Sequence, residues 1–385
     1  MIQENHDFLR KVLKGMRKAI LAVMLVFCML LPLSGAVYAA GMENFLPQEE
    51  VSTIQFQDVP EGAWYEEALE RCCAAGLIEG TGVDTFTPEG SLTRAQALVM
   101  AVRVRMIYYT GQCQLEESEP WYQSALDYAV VRKMVDRDEF DDYDVPATRG
   151  EMAHFLATAL PVEEMGQINA VSFLPDVTEE TAYRQDIFLL YRTGVLTGSD
   201  IFGSFRPEEE ITRAEACAIL ARLAFPELRR DLDLFLPSEM ILPEASLAAP
   251  PGGTVTAQEE TALYTDLFGF GVLGSYTRAR LNRFQPTEGK KVLAVRMVLE
   301  NPTASPVSIP TSAFEVYWGG EESVRPLADN GYVSSQLPEL IALSSHQITA
   351  GVLLYEVPEE EETFTLSCTI RYSGGTAAEI GRAHV

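Results

Sequence analysis

The feature that most constrains this chain is that it repeats itself. From Phe56 it reads Phe56-Gln57-Asp58-Val59-Pro60, Trp64-Tyr65, Ala68-Leu69, Gly76-Leu77-Ile78-Glu79-Gly80, Phe86-Thr87-Pro88 and Leu92-Thr93-Arg94-Ala95-Gln96-Ala97. The same order returns as Phe173-Leu174-Pro175-Asp176-Val177, Tyr183, Gly194-Val195-Leu196-Thr197-Gly198, Phe205-Arg206-Pro207 and Ile211-Thr212-Arg213-Ala214-Glu215-Ala216. Trp64 and Arg94 are 30 residues apart, as are Tyr183 and Arg213. A weaker copy lies between, with Trp121-Tyr122, Ala125-Leu126, Met134-Val135, Phe140, Val145-Pro146 and Thr148-Arg149-Gly150-Glu151; it lacks the glycine pair and the Phe-x-Pro element. A fixed period of this length marks a unit that buries its apolar face only against its neighbours.

Each copy predicts helix, loop, helix. Trp64, Ala68, Cys72 and Ala75 fall three or four apart, one apolar face of a first helix. Gly76 ends it, since glycine takes a left-handed backbone at little cost. Thr93, Thr148 and Thr212, each followed three residues later by Gln or Glu, are capping boxes that open the second helices.

An arginine follows the capping threonine in all three copies: Arg94, Arg149 and Arg213. The helix dipole makes a cation unfavourable there by about 0.3–1 kcal/mol. Backbone amides, dipole and guanidinium together suit an anion such as a carboxylate on a sugar polymer. The alternative is that each arginine pairs with an acid of a neighbouring copy. Trp64, Trp121 and Tyr183 read first as core and second as ligand contacts. Asp58 and Asp176 read as caps or turn formers.

These motifs resemble the S-layer homology domain, over about Phe56 to Phe225. The resemblance implies an all-α three-repeat helical spindle with pseudo-threefold packing, and non-covalent binding of secondary cell-wall polysaccharide, an anionic polymer often carrying pyruvylated sugars. It carries ligand binding to Arg94 and Arg213, and less closely to Arg149, where Gly150 replaces the usual alanine. Trp64 and Trp121 complete the candidate glycan-binding set. The implied function is anchoring of an exported, non-catalytic protein to the bacterial cell wall. The rival readings are the anchor and spacer of a truncated cell-envelope enzyme and a structural surface-layer subunit.

The N-terminus agrees with export. Five basic residues, Arg10 to Lys18, precede the apolar run Ala19–Leu33, and small residues follow: a signal peptide over 1–39, with a short leader at 40–55. The run is short for a membrane span, and Cys28 lacks the small residues expected before a lipid-modified cysteine. Without residues 1–39 the chain keeps 24 basic and 54 acidic residues, a balance of −30. Such a field excludes nucleic acid as a partner. Five cysteines then remain, two of them adjacent, and no spacing suits zinc or a disulfide framework. No cofactor, metal or Ser/His/Asp arrangement is expected.

The expected repeats run 56–112, 113–165 and 166–225. A Pro-rich linker, semi-rigid because of its prolines, is expected over 226–253. Strands follow over 254–378: Lys291–Glu300, Ser312–Trp318, Ile348–Val357 and Phe364–Tyr372, with a turn at Asp329-Asn330-Gly331. They predict a small all-β sandwich. Val292–Asn301 followed by Ala350-Gly351-Val352-Leu353-Leu354-Tyr355-Glu356-Val357-Pro358 resembles immunoglobulin-like domains of secreted Gram-positive proteins, a resemblance that names no partner for it. The glycines of Leu263–Leu273 lack a phosphate-loop lysine, and Glu359–Glu362 reads as a solvated turn rather than a calcium site. The last residues, 379–385, read Glu-Ile-Gly-Arg-Ala-His-Val, the translation of a sequencing adapter, so a truncated gene is expected.

Overall fold

The computed structural model describes residues 39–46, 56–240, 242, 245–248, 256–257, 261–264, 267–319, 322–371 and 377–384. The expected signal peptide, apart from Ala39, lies outside them. Among the described residues no helix is long and apolar enough to cross a membrane. Helices fill the N-terminal part and β-sheets the C-terminal part.

Among the described residues six α-helices come in three consecutive pairs: α1 (Glu66–Ala74) with α2 (Arg94–Thr110), α3 (Gln123–Val131) with α4 (Arg149–Ala157), and α5 (Arg184–Arg192) with α6 (Arg213–Ala224). All three expected capping boxes form. Thr93, Thr148 and Thr212 accept from the amides of Gln96, Glu151 and Glu215, whose side chains return to the threonine amides. The first helices differ from the expected phase. Trp64 precedes α1, and the buried face is Tyr65, Leu69 and Cys72. Tyr65, Tyr122 and Tyr183 share the position just before their helices. Tyr183 is therefore the counterpart of Tyr65 rather than of Trp64. Eleven residues on, Gly76 (φ 67°), Lys133 (φ 58°) and Gly194 (φ 75°) all turn left-handed. The middle copy thus keeps the turn without the glycine.

The three pairs close on one another through backbone. Leu92 N donates to Ile211 O (3.1 Å), Ile211 N to Ala147 O (3.1 Å), and Ala147 N to Leu92 O (2.7 Å). Each strand-like segment before a second helix therefore feeds the next in a ring. Leu92, Ala147 and Ile211 are fully buried within it. The aspartates noted in the sequence join each pair's opening to its loop. Asp58 accepts from the amides of Phe86 (2.8 Å) and Thr87 (2.6 Å), and Asp176 from those of Phe205 (2.9 Å) and Arg206 (2.6 Å). Thr87 and Arg206 both have positive φ, a backbone these carboxylates hold in place.

Among the described residues twelve strands build the C-terminal part: β1 (Ala245–Ala248), β2 (Thr256–Ala257), β3 (Thr261–Tyr264), β4 (Gly269–Arg278), β5 (Lys290–Glu300), β6 (Val307–Pro310), β7 (Phe314–Trp318), β8 (Glu322–Val324), β9 (Leu340–Leu343), β10 (Ile348–Pro358), β11 (Thr365–Arg371) and β12 (Ala377–His384). They form two five-stranded sheets, ordered β1-β3-β4-β5-β10 and β2-β12-β11-β7-β8, and the small pair β6-β9. β5 is apolar from Val292 to Leu299 except at Arg296 because both its faces are covered. Leu293, Val295, Met297 and Leu299 join the core with Phe314, Val316 and Leu366 of the second sheet. Val292, Ala294 and Val298 join a separate core with Phe235, Leu242 and Val333.

Phe235 lies in the stretch expected as a linker. Residues 226–240 are instead built into the fold. Asp231 accepts from Arg278 Nη1 (2.8 Å) and the Asn282 amide (2.6 Å). Asp233 accepts from Tyr276 Oη (2.7 Å) and pairs with Arg296, which also reaches Glu239 at 3.0 Å. The prolines that break helix and strand here leave an extended segment whose acids match the arginines on the sheet's outer face. β1 and β12 extend past the expected sandwich limits, β12 across the adapter-like residues. The Asp329-Asn330-Gly331 turn forms, Gly331 N donating to Asp329 Oδ1 (3.0 Å), but it does not join paired strands.

The two glycine stops separate backbone cost from packing cost. Nothing lies within 4 Å of a Cβ built on Gly76, whereas one on Gly194 would stand 2.6 Å from Arg230 O. Gly76→Ala should cost about 1–2 kcal/mol, the left-handed penalty alone. Gly194→Ala should cost clearly more in the same urea titration; equal losses would mean that the segment after α6 yields freely.

Candidate functional site

The helix-start arginines all reach across to the next pair in the ring. Arg94 donates from Nε (3.0 Å) and Nη2 (2.7 Å) to Glu151 Oε1 and from Nη1 to Asp142 O (3.1 Å), its guanidinium 5.0 Å from the Phe140 ring centre. Arg149 donates to Phe205 O (2.7 Å) and Glu215 Oε1 (2.6 Å) over the Phe205 ring. Arg213 donates to Phe86 O (2.7 Å) and Glu79 O (2.6 Å) over the Phe86 ring. Glu151 and Glu215 thus serve twice, as cap of their own helix and as counter-ion of a neighbour's arginine. The first pair has Gln96 at that position, and no described carboxylate forms an ion pair with Arg213. The sequence held this signal in the Glu-or-Gln choice of each capping box.

The helix-start amides are not free to hold an outside anion. Arg94 and Ala95 donate to Val145 O and Tyr143 O, Arg149 and Gly150 to Glu209 O and Pro207 O, and Arg213 and Ala214 to Gly90 O and Pro88 O, all at 2.8–3.0 Å. The expected amide cradle is occupied by the neighbouring loop. Accessibility separates the three guanidinium groups: the side chain of Arg94 is 24% exposed and that of Arg149 11%, and Arg213 as a residue is only 7% exposed. Burial is the main cause that lowers the Arg213 pKa, while the hydrogen bond to Glu151 is the main cause that raises that of Arg94.

The indoles are not core. Trp64 is 66% exposed and Trp121 54%. Each stands edge-on to the tyrosine after it, at 5.3 and 5.8 Å. Ring contacts continue from Trp121 through Tyr122, Tyr143 and Phe140 to Arg94. They run from Trp64 through Tyr65 and Phe86 to Arg213. The fold therefore joins each tryptophan to the arginine of a different pair, an association that within-copy spacing hides.

A histidine not singled out by the sequence lies beside this cluster. His154 Nδ1 is 2.7 Å from Asp186 Oδ2 and Nε2 is 3.1 Å from Glu139 Oε1. Its ring stacks on Tyr183, with centres 4.4 Å apart, and Tyr183 Oη donates to Glu139 (3.3 Å). Burial alone would push its pKa down, but the Asp186 hydrogen bond and the Glu139 charge outweigh it, and the net shift is upward.

Comparison with known proteins now gives the class. The S-layer homology domain matches residues 55–98 and 174–217, the first and third helix pairs without the ends of α2 and α6. The surface-layer 125 kDa protein of Lysinibacillus sphaericus is 28% identical over 132 residues, which is 31% of this chain and 11% of that protein. An amylopullulanase of Thermoanaerobacterium thermosulfurigenes is 26% identical over 43% of this chain and 9% of its own. An S-layer protein of Bacillus licheniformis is 24% identical over 49% and 22%. The chain thus spans a small fraction of these relatives. The matched segments and the surface-layer relatives indicate a secreted, cell-surface-associated protein.

The His154 geometry sets a pH dependence. A folded-state pKa raised above the unfolded value of about 6.5 gives stability that is complete below that value. It is lost as pH rises through the folded value. Urea midpoints at pH 5.5 and 8.5 should therefore fall more for the wild type than for His154→Gln. Parallel profiles would show that the imidazole gains nothing from Asp186 and Glu139.

Proposed function

We propose that the helical part anchors the protein non-covalently to the bacterial cell wall by binding secondary cell-wall polysaccharide, with all three helix pairs acting as S-layer homology repeats of one pseudo-threefold spindle. The observation that carries this reading is the match of two pairs to that domain, each with the Thr-Arg-Ala element at the start of its second helix. The ligand residues are Arg94, Arg149 and Arg213 with Trp64 and Trp121. Arg94 and Trp121 form the most open combination. A guanidinium has five donors, and those Arg94 does not spend on Glu151 and Asp142 can take an outside carboxylate, such as that of a pyruvylated sugar. The exposed indole offers a flat apolar surface for a sugar ring. The buried Arg213 joins binding only as far as its loop opens.

The reading assigns attachment, not catalysis, to these residues, and an immunoglobulin-like sandwich to the β part. The surface-layer relatives favour a surface-layer subunit. The amylopullulanase relative favours the same anchor carried by a cell-envelope enzyme. Lattice formation by the purified protein would favour the subunit.

The test is co-sedimentation with purified sacculi before and after acid removal of the secondary polymer. Wild-type protein should pellet only with intact sacculi, and Arg94→Ala and Trp121→Ala should each weaken binding about tenfold, the scale of one lost charge-assisted or aromatic contact. Polymer-dependent binding that survives both changes would leave the anchor standing and remove these residues from it. Failure to pellet with any sacculi would end the anchoring reading.

A further inference from the structure

Where α6 and the segment after it meet the β part, the structure holds a cavity of about 390 Å³ whose wall includes Arg222, Arg230, Ser199, Asp200, Asp329 and Ser334. Arg222 Nη1 donates to Val195 O (3.1 Å), and Arg230 Nη1 donates to Gly331 O. Neither forms an ion pair with any described carboxylate. Arg94, Arg149, Arg278 and Arg296 each have one, whereas Arg213 and Arg229 donate to backbone carbonyls as these two do. What sets Arg222 and Arg230 apart is that both line one cavity without an ion pair, in a chain with 56 acidic and 29 basic residues.

The two aspartates on the wall accept from backbone amides and pair with neither arginine, though Asp329 and Glu67 partly offset the charge of Arg230. Asp200 Oδ1 accepts from the amides of Phe202 (2.9 Å) and Ser204 (3.0 Å), and Asp329 Oδ1 accepts from that of Gly331. Burial is the main cause that holds both guanidinium groups down to about 10; repulsion follows, from Arg230 and then Arg283 at Arg222 and from Arg283 at Arg230. Like charges brought together in a half-buried space are a fault that an anion between them would cancel.

We propose that this cavity is an oxyanion site, in which a carboxylate or phosphate group sits between Arg222 and Arg230 and takes guanidinium donors that the protein leaves unused. The site is separate from the helix-start arginines and does not depend on the anchoring role. Guanidinium groups match both anions with paired hydrogen bonds. A group bound there would touch α6, the loop after α5 and the β part at once, so its occupancy would stiffen the joint between the two.

The test uses the full chain with inorganic phosphate and pyruvate as probes, and sodium chloride at matched ionic strength. Thermal midpoints should rise saturably with at least one probe and not with chloride; which probe acts tells phosphate from carboxylate. Arg230→Gln should weaken that response roughly tenfold, the loss of one charge-assisted contact, while pelleting with sacculi as the wild type does. Asp329→Asn removes a repelling charge and should tighten binding. No saturable response to either probe, or an equal response to chloride, overturns the proposal. So does wild-type binding by folded Arg230→Gln. If that variant does not fold, unchanged or weaker binding by Asp329→Asn overturns it.

Discussion

Three backbone hydrogen bonds, from Leu92 to Ile211, Ile211 to Ala147 and Ala147 to Leu92, close the three helix pairs of the helical part into a ring. Each lies just before a capping threonine, so the ring sets where the second helices start. It is fully buried, where an unpaired amide or carbonyl would cost far more than a made bond gains. The three segments must therefore come together at once. One helix pair alone would leave its share of the ring unpaired and its apolar face in water.

The ring also explains the arginines. A cation at a helix start is mildly unfavourable by itself, yet here each guanidinium lies over an aromatic ring of the next pair and donates to that pair's loop. The dipole penalty is small beside two charge-assisted hydrogen bonds. The same side chains can fasten the pairs together and still present donors at their seams. How much each can present follows from burial, which falls from Arg213 through Arg149 to Arg94. The exposed indoles of Trp64 and Trp121 stand at the other end of aromatic stacks that begin at these arginines. Attachment and packing thus draw on one set of side chains, and a substitution there is read only with a stability measurement beside it.

The junction with the β part follows a different logic. Asp231, Asp233 and Glu239 meet Arg278 and Arg296 on the outer face of β4 and β5, and Phe235 covers the apolar remainder. These pairs are largely withdrawn from solvent, so their value is specificity of placement more than net stabilisation. Arg222 and Arg230 line a cavity at the same junction, and no described carboxylate forms an ion pair with either.

Much of this was legible in the residues. Thr-x-x-Gln and Thr-x-x-Glu located three helix starts to the residue, because a capping box is a local interaction between neighbours in the chain. The apolar and alternating runs after 254 located β5, β7, β10 and β11, but not β4, whose glycines hide a strand that is defined by pairing with β5. What the sequence could not show depends on contacts between distant residues. Trp64 looked like part of a helix face, yet Tyr65 takes that place, because a one-residue shift in phase is decided by what the helix packs against. The amides at the helix starts looked open, yet loops from other pairs fill them. The stretch 226–240 looked like a spacer, since its prolines exclude helix and strand; that its aspartates meet arginines more than 40 residues later is a property of the folded chain alone. The sequence by itself determined the units and their caps, and only the tertiary structure decided which unit faces which, because local hydrogen bonds carry no information about partners across a ring.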